Sequence, residues 1–338
     1  MTTLLRARLG TVAFAALLMN SGMAQARCTI NAAGLTITPV TGSTGTYTYP
    51  TAPTAQAMTF TVSGTYDTNG SGGTCTVAIA FNRASLPASM AIAGGGGSTL
   101  PYTITSAAGG GNSLLFTGGG VPSSTNRLES SFASAGSNLT NVPFTATLTA
   151  YALAQPGSPQ AAGSYSDSLA LHVISAPNGG SATNLINPGF TLSGTVAKVC
   201  TIGGVATPAA DSATIPITSA GAVNTAAINK TYANAACNTP SNLQLTSQNG
   251  AVKNSGTAPS GFSNLINYSA SASFSGASAS LDTATIATAT GAEPGTAVST
   301  TGATPSGTMS VTITPQANST PLITGTYTDT LRITITPQ

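Results

Sequence analysis

Few side chains here are equipped for chemistry: four cysteines, one histidine and seven acids among 338 residues. Cys28 and Cys75 lie in the first half of the chain, Cys200 and Cys237 in the second. Such residues can form disulfides, hold a metal or act as nucleophiles. A metal site is the rival of the disulfide reading, but with a lone histidine and no Cys-x-x-Cys spacing the ligand set is poor. In an oxidising compartment an even cysteine count reads as disulfides; four allow three pairings, and one bridge per half is the simplest. Closing loops of this size would stabilise each half by ~3–4 kcal/mol in the chain-entropy model.

His172 sits at the polar parity of an alternating segment, Leu169 to Val173, which reads as a solvated strand histidine and not a catalytic base. The acids Asp67, Glu129, Asp167, Asp211, Asp282, Glu293 and Asp329 include no pair close in sequence. Glycine tracts are present without the strand-to-helix context of a phosphate-binding loop. No enzymatic activity and no cofactor are expected.

The compartment follows from the first residues. Arg6 and Arg8 precede the apolar stretch Val12 to Met19, and Ala24-Gln25-Ala26 offers small residues for cleavage, so residues 1–26 read as a secretory signal peptide. Arg27 stands where a lipoprotein site needs a small residue, which argues against lipidation of Cys28. The mature chain is expected to begin at Arg27, in the periplasm, at the cell surface or secreted. Without Arg6 and Arg8 it carries seven basic against seven acidic residues. That neutrality gives no electrostatic case for nucleic acid or anionic membrane.

A duplication organises the rest. Gly163-Ser-Tyr165-Ser-Asp167-Ser-Leu169-Ala-Leu171-His-Val173 recurs as Gly325-Thr-Tyr327-Thr-Asp329-Thr-Leu331-Arg-Ile333-Thr-Ile335. Both copies alternate apolar and polar residues with period two, as strands with one buried face do. Each follows another alternating segment, Phe144 to Tyr151 and Met309 to Ile313, across a Pro-containing turn, which reads as a hairpin in each half. Asp167 and Asp329 fall at equivalent positions, where each is expected to anchor a turn at a strand start. Further landmarks keep their order: Cys28-Thr-Ile30 and Cys200-Thr-Ile202, then a second cysteine before the runs Thr76 to Phe81 and Leu243 to Thr246, then Pro101-Tyr102-Thr-Ile104 and Asn267-Tyr268-Ser-Ala270. Many short alternating segments with Gly, Pro and Asn turns predict an all-β fold of two immunoglobulin-like sandwiches. The Pro-, Asn- and Gly-rich stretch 177–186 reads as a linker, placing one domain at 27–176 and the other at 187–338.

These residues resemble the spore coat protein U domain family, which includes subunits of archaic, Csu-type chaperone/usher pili. The final Gly-x-Tyr-x-Asp-x-Leu strand is the most specific part. Phe190 to Gln338 matches best, while the middle of the first half departs, with glycine tracts in place of ordinary strands. The resemblance implies that the second domain is an incomplete pilin sandwich lacking its last strand. A periplasmic chaperone would lend that strand, an outer-membrane usher would assemble the subunit, and the next pilus subunit would replace the lent strand with its own. Tyr327, Leu331, Ile333 and Ile335 would then line the donor-strand groove, with Thr330, Arg332 and Thr334 facing outward. Only Arg27 precedes Cys28 in the expected mature chain, leaving no donor extension. The layout is therefore similar to a two-domain tip adhesin that mediates adhesion to an abiotic or host surface and biofilm formation. The alternatives are a non-polymerising coat or matrix protein built from the same domains, and a stand-alone sugar- or surface-binding module.

Two readings compete for Leu114, Leu115 and Phe116, which stand between Gly109-Gly-Gly and Gly118-Gly-Gly. Glycine flanks permit loop conformations closed to other residues, so the triplet can be an exposed adhesive tip, with Leu153 as a neighbour. It can also be an ordinary short core strand between loops, the more usual role of such a triplet.

Overall fold

In the computed structural model the described residues are 27–69, 73–95, 97–136, 138–157, 160–176, 181–205, 208–219, 221–285 and 292–338. The expected signal peptide and residues 177–180 of the expected linker lie outside them. Regular structure among the described residues is strand throughout apart from two single 3₁₀ turns, Ser124–Asn126 and Thr283–Thr285. None of their helices is long and apolar enough to cross a membrane.

The long strands show why the chain folds this way. Gln56–Asn69 and Val142–Ala154 pair antiparallel, with Phe60 opposite Leu148. Their inward positions are mostly apolar, and most of their outward positions are threonine or serine. Across the outer face Thr59 meets Thr149 and Ser63 meets Thr145, each pair of hydroxyls at 3.2 Å. Alternation thus sends one side of each strand to the core and satisfies the other with cross-strand hydroxyl pairs.

In the N-terminal domain one layer comprises Arg27–Ile30, Thr36–Thr38, Gln56–Asn69, Val142–Ala154 and Thr99–Thr105. The facing layer is built on Gly163–Ser175, flanked by Thr74–Asn82 and Ser89–Ile92 on one side and by Thr183–Ile186 and Gly189–Val196 on the other. Thr99–Thr105 pairs with strands of both layers and joins them into a curled sandwich. Between the layers Phe60, Phe81 and Phe190 meet, with Phe190 5.1 Å from Phe81 and 5.8 Å from Phe60, ring centre to ring centre.

Phe190 belongs to a segment expected in the second domain. Gly189–Val196 instead pairs over eight positions with Gly163–Ala170, and Thr183–Ile186 pairs with Val173–Ser175. Strands expected in the linker and beyond the 187 boundary are therefore part of the N-terminal sandwich, which the chain leaves only after Val196. Pro, Asn and Gly in a sequence mark a reversal within one sheet as readily as a boundary between two domains.

The C-terminal domain sets Cys200–Thr201, Ile228–Cys237, Thr304–Pro315, Tyr268–Phe274 and Ala277–Asp282 against a layer of Ser241–Ser247, Leu331–Pro337 and two short strands. Neither expected hairpin forms. Val142–Ala154 and Gly163–Ser175 lie in different layers, as do Thr304–Pro315 and Leu331–Pro337. In each domain the second of these strands belongs to the facing layer and does not fold back beside the first. The disulfides join Cys28 to Cys75 and Cys200 to Cys237, one in each domain.

Candidate functional site

The two copies of the duplicated strand differ in what lies beside them. Gly163–Ser175 has neighbours on both edges: Thr74–Asn82 against Ala170–Ser175 on one, and Gly189–Val196 against Gly163–Ala170 on the other. Leu331–Pro337 pairs with Ser241–Ser247 on one edge, from Leu331 opposite Ser247 to Pro337 opposite Ser241. Among the described residues its other edge pairs with no strand. Burial follows. Leu169, Leu171 and Val173 are 4%, 0% and 0% exposed, whereas their equivalents Leu331, Ile333 and Ile335 are each only half-buried.

A cleft of about 750 Å³ opens along that edge. One wall is Gly325 to Leu331 with Ile333, and the other is the extended segment Ala210 to Ile217; Ile228, Tyr268, Val311 and Ile313 form its floor. Tyr327 lines the cleft, and its hydroxyl donates to the Ile323 carbonyl at 2.9 Å. Ile335 lies farther along the same strand face, packed on the core at the end nearer the N-terminal domain. Arg332 and Thr334 are exposed and lie outside the cleft lining, whereas Thr330, expected to face outward with them, is exposed on the cleft wall. Lys230 donates to the Asp211 carboxylate and, at 2.8 Å, to the Ser212 carbonyl, tethering the Ala210 wall to the floor.

The equivalent edge of the N-terminal domain is occupied by a strand of the chain itself. There Gly189–Val196 lies antiparallel to Gly163–Ala170 and parallel to Thr41–Tyr47. Phe190, Leu192 and Val196 point inward and are buried. At the inward position between Leu192 and Val196, Gly194, a β-carbon would collide with the Thr44 hydroxyl and crowd Met90, so glycine fits where a larger residue would not. Counted from the first glycine of the repeat, Gly163–Ala170 corresponds residue for residue to Gly325–Arg332, which borders the cleft.

A tyrosine–aspartate contact fixes the start of the duplicated strand in both domains. Tyr102 donates its hydroxyl to Asp167 Oδ2 at 2.7 Å, where Arg83 Nε also donates at 2.5 Å. Tyr268 donates to Asp329 Oδ2 at 2.6 Å, beside the Ser247 hydroxyl at 2.6 Å; the Asn249 N–H donates to Oδ1 at 2.9 Å. Burial, then the carboxylate contact, pushes both phenols well above the ordinary tyrosine value, so they stay protonated donors. The expected turn-anchoring role of these aspartates is thus part of a larger one. Each ties the strand to a tyrosine 65 or 61 residues away.

The adhesive-tip reading of Leu114, Leu115 and Phe116 is corrected. Leu114 and Leu115 are 0% and 5% exposed, and Leu115–Phe116 is a two-residue strand parallel to Phe81–Asn82. The glycine runs let this piece turn into the sheet edge, where burial outweighs exposure of the triplet. Leu153 is half-buried opposite Thr103.

His172 is also corrected, from solvated to buried at 3% exposure. Phe116 packs against its ring at 5.0 Å with the two rings nearly perpendicular, and the carboxamide of Asn184 in the Thr183–Ile186 strand lies on Nδ1, with Nδ2 at 2.6 Å and Oδ1 at 2.9 Å. Asn82 lies 3.4 Å from Nε2. Both nitrogens of the neutral ring thus have a side-chain amide beside them. Desolvation lowers its pKa, partly offset by the Asn184 hydrogen bond. In the unfolded chain the proton binds near pH ~6.5. Stability of the N-terminal domain should therefore be full above that value and fall as the pH drops below it, where the unfolded state takes up the proton first. Thermal melting between about pH 5 and 7.5 reads this slope, and His172→Gln should flatten it.

Among the described residues no group of three or more His, Cys, Asp or Glu is placed to hold a metal ion. No family model matches the chain. No curated protein matches it either. Solved structures do. One is described as the CsuC–CsuE chaperone–tip adhesion subunit pre-assembly complex from archaic chaperone-usher Csu pili of Acinetobacter baumannii, at 15% identity over 91% of this chain and 99% of that one, with a TM-score of 0.38. A second, described as a chaperone–tip adhesin complex of CFA/I fimbriae biogenesis, is 15% identical over 88% and 95%, with a TM-score of 0.30. A third, the CupB6 tip adhesin from Pseudomonas aeruginosa, is 8% identical over 84% and 86%, with a TM-score of 0.29.

Proposed function

We propose that this chain is a surface-exposed pilus subunit assembled by donor-strand complementation and placed at the tip, where the N-terminal domain mediates adhesion to an abiotic or host surface and biofilm formation. The observation that carries the reading is internal. One duplicated strand is covered by Gly189–Val196, while the equivalent edge at Gly325–Leu331 borders a cleft in which Ile228, Val311, Ile313 and Ile333 lie among hydroxylated and charged side chains. Exposed strand edges beside a half-open core recruit another strand, whose main chain completes the ladder and whose alternate side chains fill the core. In this reading a periplasmic chaperone fills the cleft first and the next subunit, delivered through an outer-membrane usher, fills it afterwards. Tip placement draws support from the N-terminal domain, which is closed by its own strand, and from Arg27–Ile30, which is already paired with Tyr66–Asn69.

The test uses residues 27–338 and a synthetic peptide copying Gly189–Val196, titrated while melting is followed. One equivalent should bind and raise the melting temperature of the C-terminal domain, and a scrambled peptide should do neither. A C-terminal domain that melts high unaided and takes up no strand would point instead to the non-polymerising coat or matrix protein.

A further inference from the structure

We propose that the N-terminal domain is a tension-carrying splice, in which Gly163–Ser175 links two in-line ladders and each disulfide bypasses a strand too short to resist pull. The direction of pull rests on the reading above, with the C-terminal domain held at its cleft and the N-terminal domain held at its far end.

The chain passes between the domains through 197–199, and this link is clasped. The Asn238 side chain is buried, accepting from the Val199 N–H and donating to the Ala197 carbonyl, both at 2.8 Å. Its own carbonyl accepts from the Ala162 N–H at 2.9 Å. Tension therefore reaches Val196 along the axis of Gly189–Val196. That strand is registered at eight positions against Gly163–Ala170 and at five against Thr41–Tyr47. Ladder hydrogen bonds of an antiparallel pair lie perpendicular to the strands, so an axial pull strains all of them together instead of peeling them one by one.

The other half of Gly163–Ser175 repeats the arrangement. Ala170–Ser175 is registered at six positions against Val77–Asn82, whose strand begins beside Cys75 at the far end of the domain. A pull entering there at Arg27 would first meet Arg27–Ile30, a strand of four residues, but Cys28–Cys75 passes it covalently to Thr74–Asn82. On the other side of the link, Cys200–Thr201 has only two residues. Cys200–Cys237 hands the pull to Ile228–Cys237, registered at seven positions with Thr304–Pro315. Both cross-links thus stand at the first strand that tension meets on entering a domain.

Single molecules of residues 27–338, tagged at both ends and stretched without any donor strand, test this; forced rupture is governed by the unfolding barrier. The oxidised protein should break its N-terminal domain in one high-force event. Reductant added to molecules already folded should remove that event and let Arg27–Ile30 and Cys200–Thr201 peel at low force. The paired variant Cys200→Ser and Cys237→Ser should show early peeling in the C-terminal domain alone, with the N-terminal event kept. Gradual yielding of the oxidised N-terminal domain at low force, or traces unchanged by reduction, would overturn the proposal. Because no donor strand is present, these outcomes stand apart from peptide binding at the cleft.

Discussion

Phe190→Ala is expected to destabilise the N-terminal domain by about 3–5 kcal/mol, enough to unfold a domain of ordinary stability. The side chain stands between Phe60 and Phe81 and is buried to 1% exposure, so its removal leaves a cavity walled by two rings that cannot collapse into it. A division at 187 predicts the opposite, since it assigns Phe190 to the other domain. Fragments separate the two cases. Residues 27–198 should give a cooperative melt, and residues 27–176 should not, because the latter lose eight registered ladder positions and the Phe190, Leu192 and Val196 side chains. A cooperative melt of 27–176 would show that Gly189–Val196 is an accessory strand and would remove the internal template from which the cleft is understood.

Alternation made Gly189–Val196 recognisable as a strand but could not say which sheet it joins. Period two reports which side of a strand is buried, and both sandwiches offer a buried side. The parity of Leu331, Ile333 and Ile335 against Arg332 and Thr334 was legible for the same reason, since it depends on the local pattern alone. His172 shows where that pattern misleads. Leu171-His172-Val173-Ile174 is a continuous buried run, so this end of the strand is covered on both faces, by the main core and by a second apolar cluster in which Ala78, Ala80 and Ile174 pack with Phe116 and Ala182. Such a run is the mark of a strand buried on both sides, and reading it would have placed the histidine inside.

The tyrosine–aspartate contacts were out of reach for a different reason. Tyr102 and Tyr268 were visible as repeated landmarks, as were Asp167 and Asp329, but joining each pair requires knowing which strands cross the sandwich. Leu114 to Phe116 failed on length. Two residues of strand carry no period, so an apolar triplet between glycines looks the same whether it lies on a loop or closes a sheet edge.

The cleft yields the second large effect. Leu331→Asp should abolish binding of the Gly189–Val196 peptide and accumulation of the protein in the periplasm, while Arg332→Asp should leave both near the parent level. In the N-terminal domain the equivalent Leu169 faces Phe190 and is nearly buried, so a filled cleft would enclose an aspartate at 331 against an apolar side chain with no partner. An unpaired carboxylate in that setting costs several kcal/mol or must take up a proton, and either penalty is subtracted from the free energy of docking, with each ~1.4 kcal/mol weakening binding about tenfold. Arg332 is exposed on the opposite face, where a change of charge meets water. Comparing the two variants isolates strand parity from the general effect of adding an acid, because they differ by one position and carry the same new side chain. Equal losses would mean that Leu331–Pro337 presents its other face to the incoming strand. Equal retention would mean that the strand binds elsewhere, and the cleft beside Gly325–Arg332 would lose its role.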